Sequence, residues 1–239
     1  MPATVEVDAH FSPQLTEPQR QRVYNQIREL APRGTVAVVS DSAMKTTIRS
    51  RGACDVDGPY FLLQHRTLDS LPDAALPDGY RITTAAEAGV LARVQAHRDA
   101  WAPARIKSLL GLPITGDEPT SSFSMSKYRA MKEVSIYRPE LDLVVLAADG
   151  SPAAFALGWL DDASQSLLFE PVGTSPAHAL RGLSFSVCAA LMHGAAILGA
   201  REAIVGPRGD DAYPIPRYLY ASLGFTSVGR TCTLAWSNP

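Results

Sequence analysis

The segment Leu167–Ser184, with the sequence LLFEPVGTSPAHALRGLS, decides the fold. An apolar run reaches a bend that contains Pro176, and the residues RGLS at 181–184 then open a long Ala-rich segment. This order is typical of a strand that ends in a glycine turn, followed by a helix N-terminus. Free N–H groups and the dipole at such a terminus favour an anion such as phosphate. A single glycine is also common in plain tight connections, so the interpretation depends on the rest of the chain.

The composition excludes several classes of function. With 239 residues, 46% of them hydrophobic and 19% charged, the chain is typical of a soluble globular protein. A net charge of -2 gives no basic field for nucleic acid or anionic membrane. Three scattered cysteines form neither a disulfide framework nor a zinc pattern, so we expect no metal. The longest apolar run, 188–200, is too short to span a bilayer, and the first ten residues lack a signal-peptide pattern, so we expect a cytoplasmic protein.

The first seventy residues predict the order helix, strand, helix, strand. Apolar positions at helical spacing indicate a helix over 17–30, and a β-branched run indicates a strand over 35–40. A short helix that ends at Arg49 and a strand over 59–68 follow. The segment LPDAALPDG at 71–79 is rich in turn formers and is the predicted domain boundary.

The remaining residues predict a mixed sheet with helices on its faces. A strand over 80–83 leads to a helix capped by Thr84 that runs from Ala85 to about residue 101. Its apolar stripe is expected to comprise Val90, Leu91, Val94 and Trp101. A loop over 102–126 and a short helix over 126–135 come next. Apolar runs over 141–147 and 153–160, joined at Asp149-Gly150, predict a hairpin, and a strand over 167–174, a helix over 181–198 and a strand over 202–205 complete an α/β fold.

The series of motifs over about residues 80–239 resembles the GNAT superfamily of acyl-CoA-dependent N-acetyltransferases. The resemblance rests on Glu170 in an apolar strand, the glycine corner around Gly182, and the closing tyrosine, Tyr220, followed by Leu223-Gly224-Phe225. It implies a central, mostly antiparallel sheet flanked by helices. It also implies two domains, a partial and degenerate GNAT-like half over 1–79 and a catalytic GNAT domain over 80–239. An accessory N-terminal domain that contacts substrate is the alternative.

The resemblance implies acetyl-CoA as the cosubstrate. The pantetheine arm would pair with the strand end, and the pyrophosphate would lie on the N–H groups of the corner. The implied cofactor-binding residues are Val172, Gly173, Thr174, Ala179, Leu180, Arg181, Gly182, Leu183 and Ser184. The chain departs from the superfamily pattern at Ala179, where Arg or Gln is usual, at Ser184, where Gly or Ala is usual, and at Tyr213, where Asn is frequent. The missing cationic side chain would weaken cofactor binding by about 1–2 kcal/mol.

The resemblance also implies catalytic roles. Glu170 would be the general base, since a strand period of two places it on the same face as Val172. The Val172 N–H would stabilise the oxyanion, and Tyr220 would be the general acid toward the departing thiolate. The alternatives are a strand carboxylate without a catalytic role for Glu170 and a core aromatic for Tyr220. Near the implied acceptor pocket, bordered by the loop over 102–127, His97 and Trp101 lie at helical spacing, which is equally consistent with a core stripe.

These observations together predict an N-acetyltransferase that transfers an acetyl group from acetyl-CoA to an amine of a small molecule, with no nucleic-acid or membrane partner. A homodimer is compatible with the sequence. Three alternatives stay open, namely a related acyltransferase with another donor or acceptor, a CoA-binding module without turnover, and an interaction protein that binds no CoA.

Overall fold

The computed structural model describes residues 6–8, 15–30, 35–40, 42–58, 60–114 and 120–236. Two parts of the predicted elements lie outside these residues. They are Pro59 of the predicted strand over 59–68 and residues 115–119 of the predicted loop over 102–126. The chain divides into two compact units. Unit 1 comprises 1–64, 206–217 and 227–239, and unit 2 comprises 65–205 and 218–226. Within the described residues, every helix is too short or too polar to cross a membrane.

Unit 1 is a small sheet whose central strand comes from the C-terminal end of the chain. Its N-terminal elements are β1 (Glu6–Asp8), α1 (Glu17–Leu30), β2 (Thr35–Val39), α2 (Ala43–Arg49) and β3 (Ala53–Val56). Strand β10 (Thr226–Trp236) pairs antiparallel with both β2 and β3, and β1 pairs parallel with β2. The core of this unit contains Ile27, Val36, Val38, Met44, Ile48, Ala53 and Leu234. Helix α2 begins where Ser42 Oγ accepts the Lys45 N–H at 3.2 Å.

The predicted helix over 17–30, the strand over 35–40 and the helix ending at Arg49 are all present in unit 1. Strands β1, β3 and β10 were not predicted from the sequence. Strand β4 (Leu62–Thr67) crosses the division between the units after Gln64. The two units divide after Gln64, and two C-terminal segments group with the N-terminal residues. The domain boundary at 79 stays a prediction.

In unit 2, five strands pair in the order β5-β6-β7-β8-β9, antiparallel except for the parallel pair β8 and β9. The strands are β5 (Tyr80–Thr84), β6 (Asp142–Ala147), β7 (Pro152–Asp161), β8 (Ser166–Thr174) and β9 (Glu202–Val205). The helices are α3 (Ala85–Ala88), α4 (Val90–Ala100), α5 (Pro103–Leu109), α6 (Met125–Lys132) and α7 (Leu183–Ile197), and α8 (Ile215–Ser222) ends in this unit. The predicted mostly antiparallel sheet flanked by helices is confirmed.

Two hydrophobic clusters place the helices of unit 2 on the sheet. Helix α7 contributes Leu183, Val187 and Leu191 to the larger cluster, together with Leu167 and Phe169 of β8. The smaller cluster joins residues of α4 and α6 to the sheet through Val94, Ala96, Ala100, Tyr128, Val144, Leu146 and Phe155. The hairpin between β6 and β7 turns at Gly150, whose φ of 83° suits glycine, as its Asp-Gly sequence predicts.

The structure corrects two predictions between residues 85 and 126. The predicted helix from Ala85 to about Trp101 is interrupted at Gly89, where a φ of 88° ends α3 before α4 begins. Leu91 of the predicted stripe is 69% exposed, whereas Val94 is buried. The predicted loop over 102–126 contains α5, which begins with proline, a residue favoured at a first helical position because its missing N–H needs no partner there.

Candidate active site

Strand β8 leaves an open backbone edge in the middle of the sheet of unit 2. Its pairing with β9 extends only from Ser166 to Leu168, whereas its pairing with β7 continues to Thr174. Among the residues that the structure describes, the last residues of β8 therefore have a strand partner on one side only. Main-chain N–H and C=O groups on the other side are available to an extended ligand, in the manner of an added strand.

A β-bulge lies where β8 parts from β9. Phe169 is opposite Gly158 and Val172 is opposite Ala156, so three steps along β8 match two along β7. The extra residue brings Phe169 and Val172 into the same hydrophobic cluster. The predicted placement of Glu170 and Val172 on one face by a period of two is wrong, since the bulge between them interrupts that period.

Glu170 lies within this bulge. Its carbonyl oxygen accepts the Trp159 Nε1–H at 2.7 Å, which fixes its main chain. The residue is exposed at its surface, yet surrounding protein atoms remove part of the carboxylate's water and raise its pKa above the usual range. A carboxyl group with a raised pKa and solvent access has the properties of a general base.

Tyr220 of α8 is 5% exposed and packs among aromatic rings. Its ring centroid lies 6.3 Å from that of Phe169 and 5.6 Å from that of Phe225, both in edge-to-face geometry. Burial raises the pKa of the phenol well above 10, and the charge of the Glu170 carboxylate raises it further. The structure thus brings Tyr220 and Glu170 within electrostatic range of each other, and Tyr220 keeps its proton at neutral pH.

The predicted glycine corner forms the N-terminus of α7. Gly182 is the N-cap residue and has a φ of 76°. An added Cβ would have no neighbour within 4 Å, so glycine is favoured here by the backbone angle and not by steric crowding. The first hydrogen bond within the helix is donated by the Ser186 N–H to the Gly182 carbonyl oxygen, at 3.0 Å. The preceding N–H groups of Leu183, Ser184 and Phe185 come before the first intrahelical bond of the helix, as at any helix start.

Side chains around the corner leave it open. Leu180 has a φ of 60° and is 76% exposed, and Arg181 is also exposed, whereas Leu183 is buried and anchors the helix. The hydroxyls of Ser184 and Thr174 form a short hydrogen bond that joins the corner to the end of β8. Ala179, one of the departures from the expected pattern, ends the 3-10 turn over 176–178. Tyr213, another departure from the expected pattern, belongs to unit 1, whereas the predicted site residues belong to unit 2.

Gly173, between the two predicted pantetheine contacts, has a packing reason to be glycine. A Cβ there would lie 2.6 Å from the Ala100 Cβ and 2.9 Å from Phe155 Cε1. Helix α4 therefore approaches the open end of β8 so closely that any side chain at this position would clash.

Helix α4 also borders a cavity. It has a volume of about 290 Å³ and is lined by His97, Trp101, Thr120, Ser121, Ser122, Phe123 and Lys127. The His97 ring stacks on Trp101 with centroids 4.6 Å apart, and His97 Nδ1 and Ser121 Oγ are hydrogen bonded at 2.9 Å. The spacing of His97 and Trp101 was the only sequence signal for this cavity, because its other wall comes from the segment predicted as a loop.

A buried ion pair supports the wall of this cavity. The Arg93 Nε–H donates to Asp142 Oδ1 at 2.6 Å, and the Tyr128 and Tyr137 hydroxyls donate to Asp142 Oδ2 at 2.9 and 3.1 Å. The Arg93 guanidinium lies 4.1 Å from the centroid of the Phe155 ring. Burial and the Arg93 charge lower the pKa of His97 to about 4, so the imidazole is neutral at physiological pH.

Comparisons with known proteins identify the fold. The sequence matches no protein-family profile and no curated protein. A GCN5-related N-acetyltransferase from Sphaerobacter thermophilus matches 90% of this chain with a TM-score of 0.60 and 19% identity, and the chain spans 64% of its length. A second from Kribbella flavida matches 98% of this chain and 79% of its own, with a TM-score of 0.55 and 16% identity.

A tandem GNAT protein from the clavulanic acid biosynthesis pathway, solved without acetyl-CoA, matches 92% of this chain and 70% of its own, with a TM-score of 0.62 and 16% identity. Identities this low establish a shared fold, and at that level the predicted resemblance is confirmed. The chain has the fold of the GCN5-related N-acetyltransferases.

Proposed function

We propose that the protein transfers an acetyl group from acetyl-CoA to an amine of a small molecule. The observation that carries this proposal is the open edge of β8 beyond Leu168, which is followed after residues 175–182 by the N-terminus of α7. An extended thiol-bearing arm and a pyrophosphate are the two parts of acyl-CoA, and a strand edge beside a helix N-terminus suits both.

The pantetheine arm would pair with the main chain of Val172, Gly173 and Thr174. The pyrophosphate would accept hydrogen bonds from N–H groups in the corner formed by Ala179, Leu180, Arg181, Gly182, Leu183 and Ser184. No acidic side chain occurs in that corner, and the exposed Arg181 adds a positive charge. The corner therefore fits an anion although Ala179 and Ser184 depart from the superfamily pattern.

In the proposed reaction the neutral amine nitrogen attacks the thioester carbon, the new C–N bond forms and the C–S bond breaks. Glu170 takes the proton that the amine loses, directly or through water, and its raised pKa favours that role. The Val172 N–H would stabilise the oxyanion. Tyr220 would donate a hydrogen bond from its O–H to the departing thiolate. Because the pKa of the phenol lies above that of a thiol, we expect solvent to supply the proton that the thiolate takes up.

A CoA-binding module without turnover is the second candidate. Ala179 lacks the cationic side chain usual in the superfamily, and the Tyr220 ring is packed between Phe169 and Phe225 as a core residue would be. A related acyltransferase with another acyl donor or acceptor differs from the main proposal in substrate only.

Isothermal titration with acetyl-CoA and with CoA tests the cosubstrate. Gly182→Ala forces a side chain onto a φ of 76° at the corner, and Gly199→Ala, at the other end of α7 with a φ of 100°, is the matched control. We expect the first change to weaken binding by at least about fivefold and the second to leave it unchanged. Absence of binding of either compound to the unmodified protein would refute the proposal.

Turnover separates the enzyme from the module. Thiol release from acetyl-CoA is measured over a panel of small amines, first with the unmodified protein and then with Glu170→Gln and Tyr220→Phe. We expect each change to lower kcat by at least about tenfold. Unchanged turnover in both variants would show that the assigned roles are wrong, and binding without turnover toward any amine would favour the module.

A further inference from the structure

The cavity beside α4 has walls that differ in chemistry. One side is aromatic, since the nearly parallel rings of His97 and Trp101 meet Phe123, whose centroid lies 4.4 Å from that of His97. The lining also includes three residues with hydroxyl groups, Thr120, Ser121 and Ser122. A volume of about 290 Å³ holds a small molecule with a flat group, at the lower end of the usual range for ligand pockets.

One charged side chain of the described residues lines this cavity. Among the described residues that line it, Lys127 is the only one with a formal charge, and its ammonium donates to Ser122 Oγ at 2.8 Å. His97 is neutral, and Asp142, which balances the charge of Arg93 behind the wall, is itself fully buried and does not line the cavity. An anionic group in the cavity would find a partner in the Lys127 ammonium.

The cavity adjoins the position where the acyl group is proposed to lie. Phe155 contacts His97 on the cavity side, with ring centroids 5.5 Å apart. The same ring lies close to Gly173, where an added Cβ would be 2.9 Å from Phe155 Cε1. One aromatic ring therefore separates the cavity wall from the open end of β8.

We propose that this cavity is the acceptor pocket and that it selects amines which carry both a flat apolar group and an anionic group such as a carboxylate. This inference rests on the proposed acetyl transfer and names the class of acceptor for the same site. The flat group would stack against the wall formed by His97, Trp101 and Phe123, and the anionic group would lie by Lys127. Polyamines and lysine side chains, which place a second positive charge in the pocket, are then poor acceptors.

Matched pairs of amines test this selection, because the members of each pair share a ring and an amine and differ only in the anionic group. Suitable pairs are phenylalanine and phenethylamine, tyrosine and tyramine, and tryptophan and tryptamine, with spermidine as a cationic probe. We expect kcat/KM for the carboxylated member to exceed that of its partner by at least about tenfold. The aminophosphonate analogue of phenylalanine shows whether phosphonate replaces carboxylate.

Variants of one lysine assign the preference to the pocket. Lys127→Gln is expected to remove the preference and Lys127→Glu to reverse it in favour of the amines without carboxylate. Arg129→Gln, which removes an exposed charge from the same helix but does not line the cavity, is the matched control and is expected to keep the preference. A preference that all three variants retain would overturn the inference.

The outcomes distinguish this inference from the proposed function. If acetyl-CoA does not bind, the proposed function fails. If acetyl-CoA binds and amines without a carboxylate are acetylated as well as or better than their partners, the pocket inference fails while the function stands. If no turnover is observed, titration calorimetry measures the equilibrium binding of the same amines without acetyl-CoA. Equal affinities within every pair would then overturn the inference.

Discussion

At the scale of single residues, His97 shows how burial alters the chemistry of a side chain. Its pKa falls from 6.5 to about 4 because burial removes water from the imidazole and Arg93 repels its proton. The unfolded chain therefore binds more protons than the folded protein between these two values, and the contribution of His97 to stability is complete above pH 6.5 and is lost as the pH falls toward about 4. Sequence patterns reveal that a histidine is present but not that it is neutral, because burial depends on distant residues.

A comparison with His97→Phe measures this contribution. Between about pH 7 and about pH 5 the unmodified protein should lose roughly 1–2 kcal/mol more of its free energy of unfolding than the variant does. Urea unfolding at the two pH values gives the difference, and an NMR titration of the imidazole gives the pKa directly. Equal losses in both proteins, or a titration near pH 6.5, would show that His97 is not desolvated.

Gly173 gives a second prediction at this scale. Gly173→Ala places a Cβ 2.6 Å from that of Ala100, so α4 or Phe155 must shift, and we expect a loss of about 1–3 kcal/mol of stability. Gly194→Ala is the control of opposite sign, since it lies inside α7 with its nearest neighbour at 3.8 Å and should gain about 0.5–1 kcal/mol. Chemical denaturation of both variants measures the change in the free energy of unfolding. An unchanged free energy for Gly173→Ala would mean that α4 does not pack closely against β8.

At the scale of secondary-structure elements, local patterns succeeded where contacts are local. The hairpin at Asp149-Gly150 and the strand Glu202–Val205 follow from turn chemistry and apolar runs, and the structure contains both. The bulge at Glu170 and the break at Gly89 escaped prediction, because one extra residue in a strand or one positive φ in a helix leaves the composition almost unchanged. The predicted site residues lie on the expected elements of unit 2, and their roles remain predictions.

The buried pair of Arg93 and Asp142 ties α4 to the start of β6. Asp142→Asn would leave the Arg93 charge buried without its counter-ion, and we expect a loss of roughly 3–5 kcal/mol. The exposed pair of Arg138 and Asp162 is the matched control, since Asp162→Asn removes a carboxylate of the same chemistry in water and should cost less than about 1 kcal/mol. Thermal and urea unfolding measure both, and similar small losses would show that solvent reaches Arg93.

At the scale of the whole molecule, the order of motifs in unit 2 was sufficient for recognition of the fold, because the strand end, the glycine corner and the last helix are successive in sequence. The organisation of unit 1 could not be predicted in that way. Its central strand β10 is separated from β2 by nearly the whole chain, and no local pattern identifies which distant strand completes a sheet.

This arrangement predicts the behaviour of an N-terminal fragment. Residues 1–79 contain β1, β2 and β3 but lack β10, so Val36 and Val38 lose the strand that pairs with them and the core loses Leu234. We expect the isolated fragment to be unfolded, with little circular dichroism of sheet and rapid amide exchange in β2, whereas the same amides in the full chain are protected. A synthetic peptide of residues 224–239 added to the fragment supplies the missing strand and should restore some protection. A fragment that folds cooperatively without that strand would support instead the boundary at 79 that the turn-rich segment predicts.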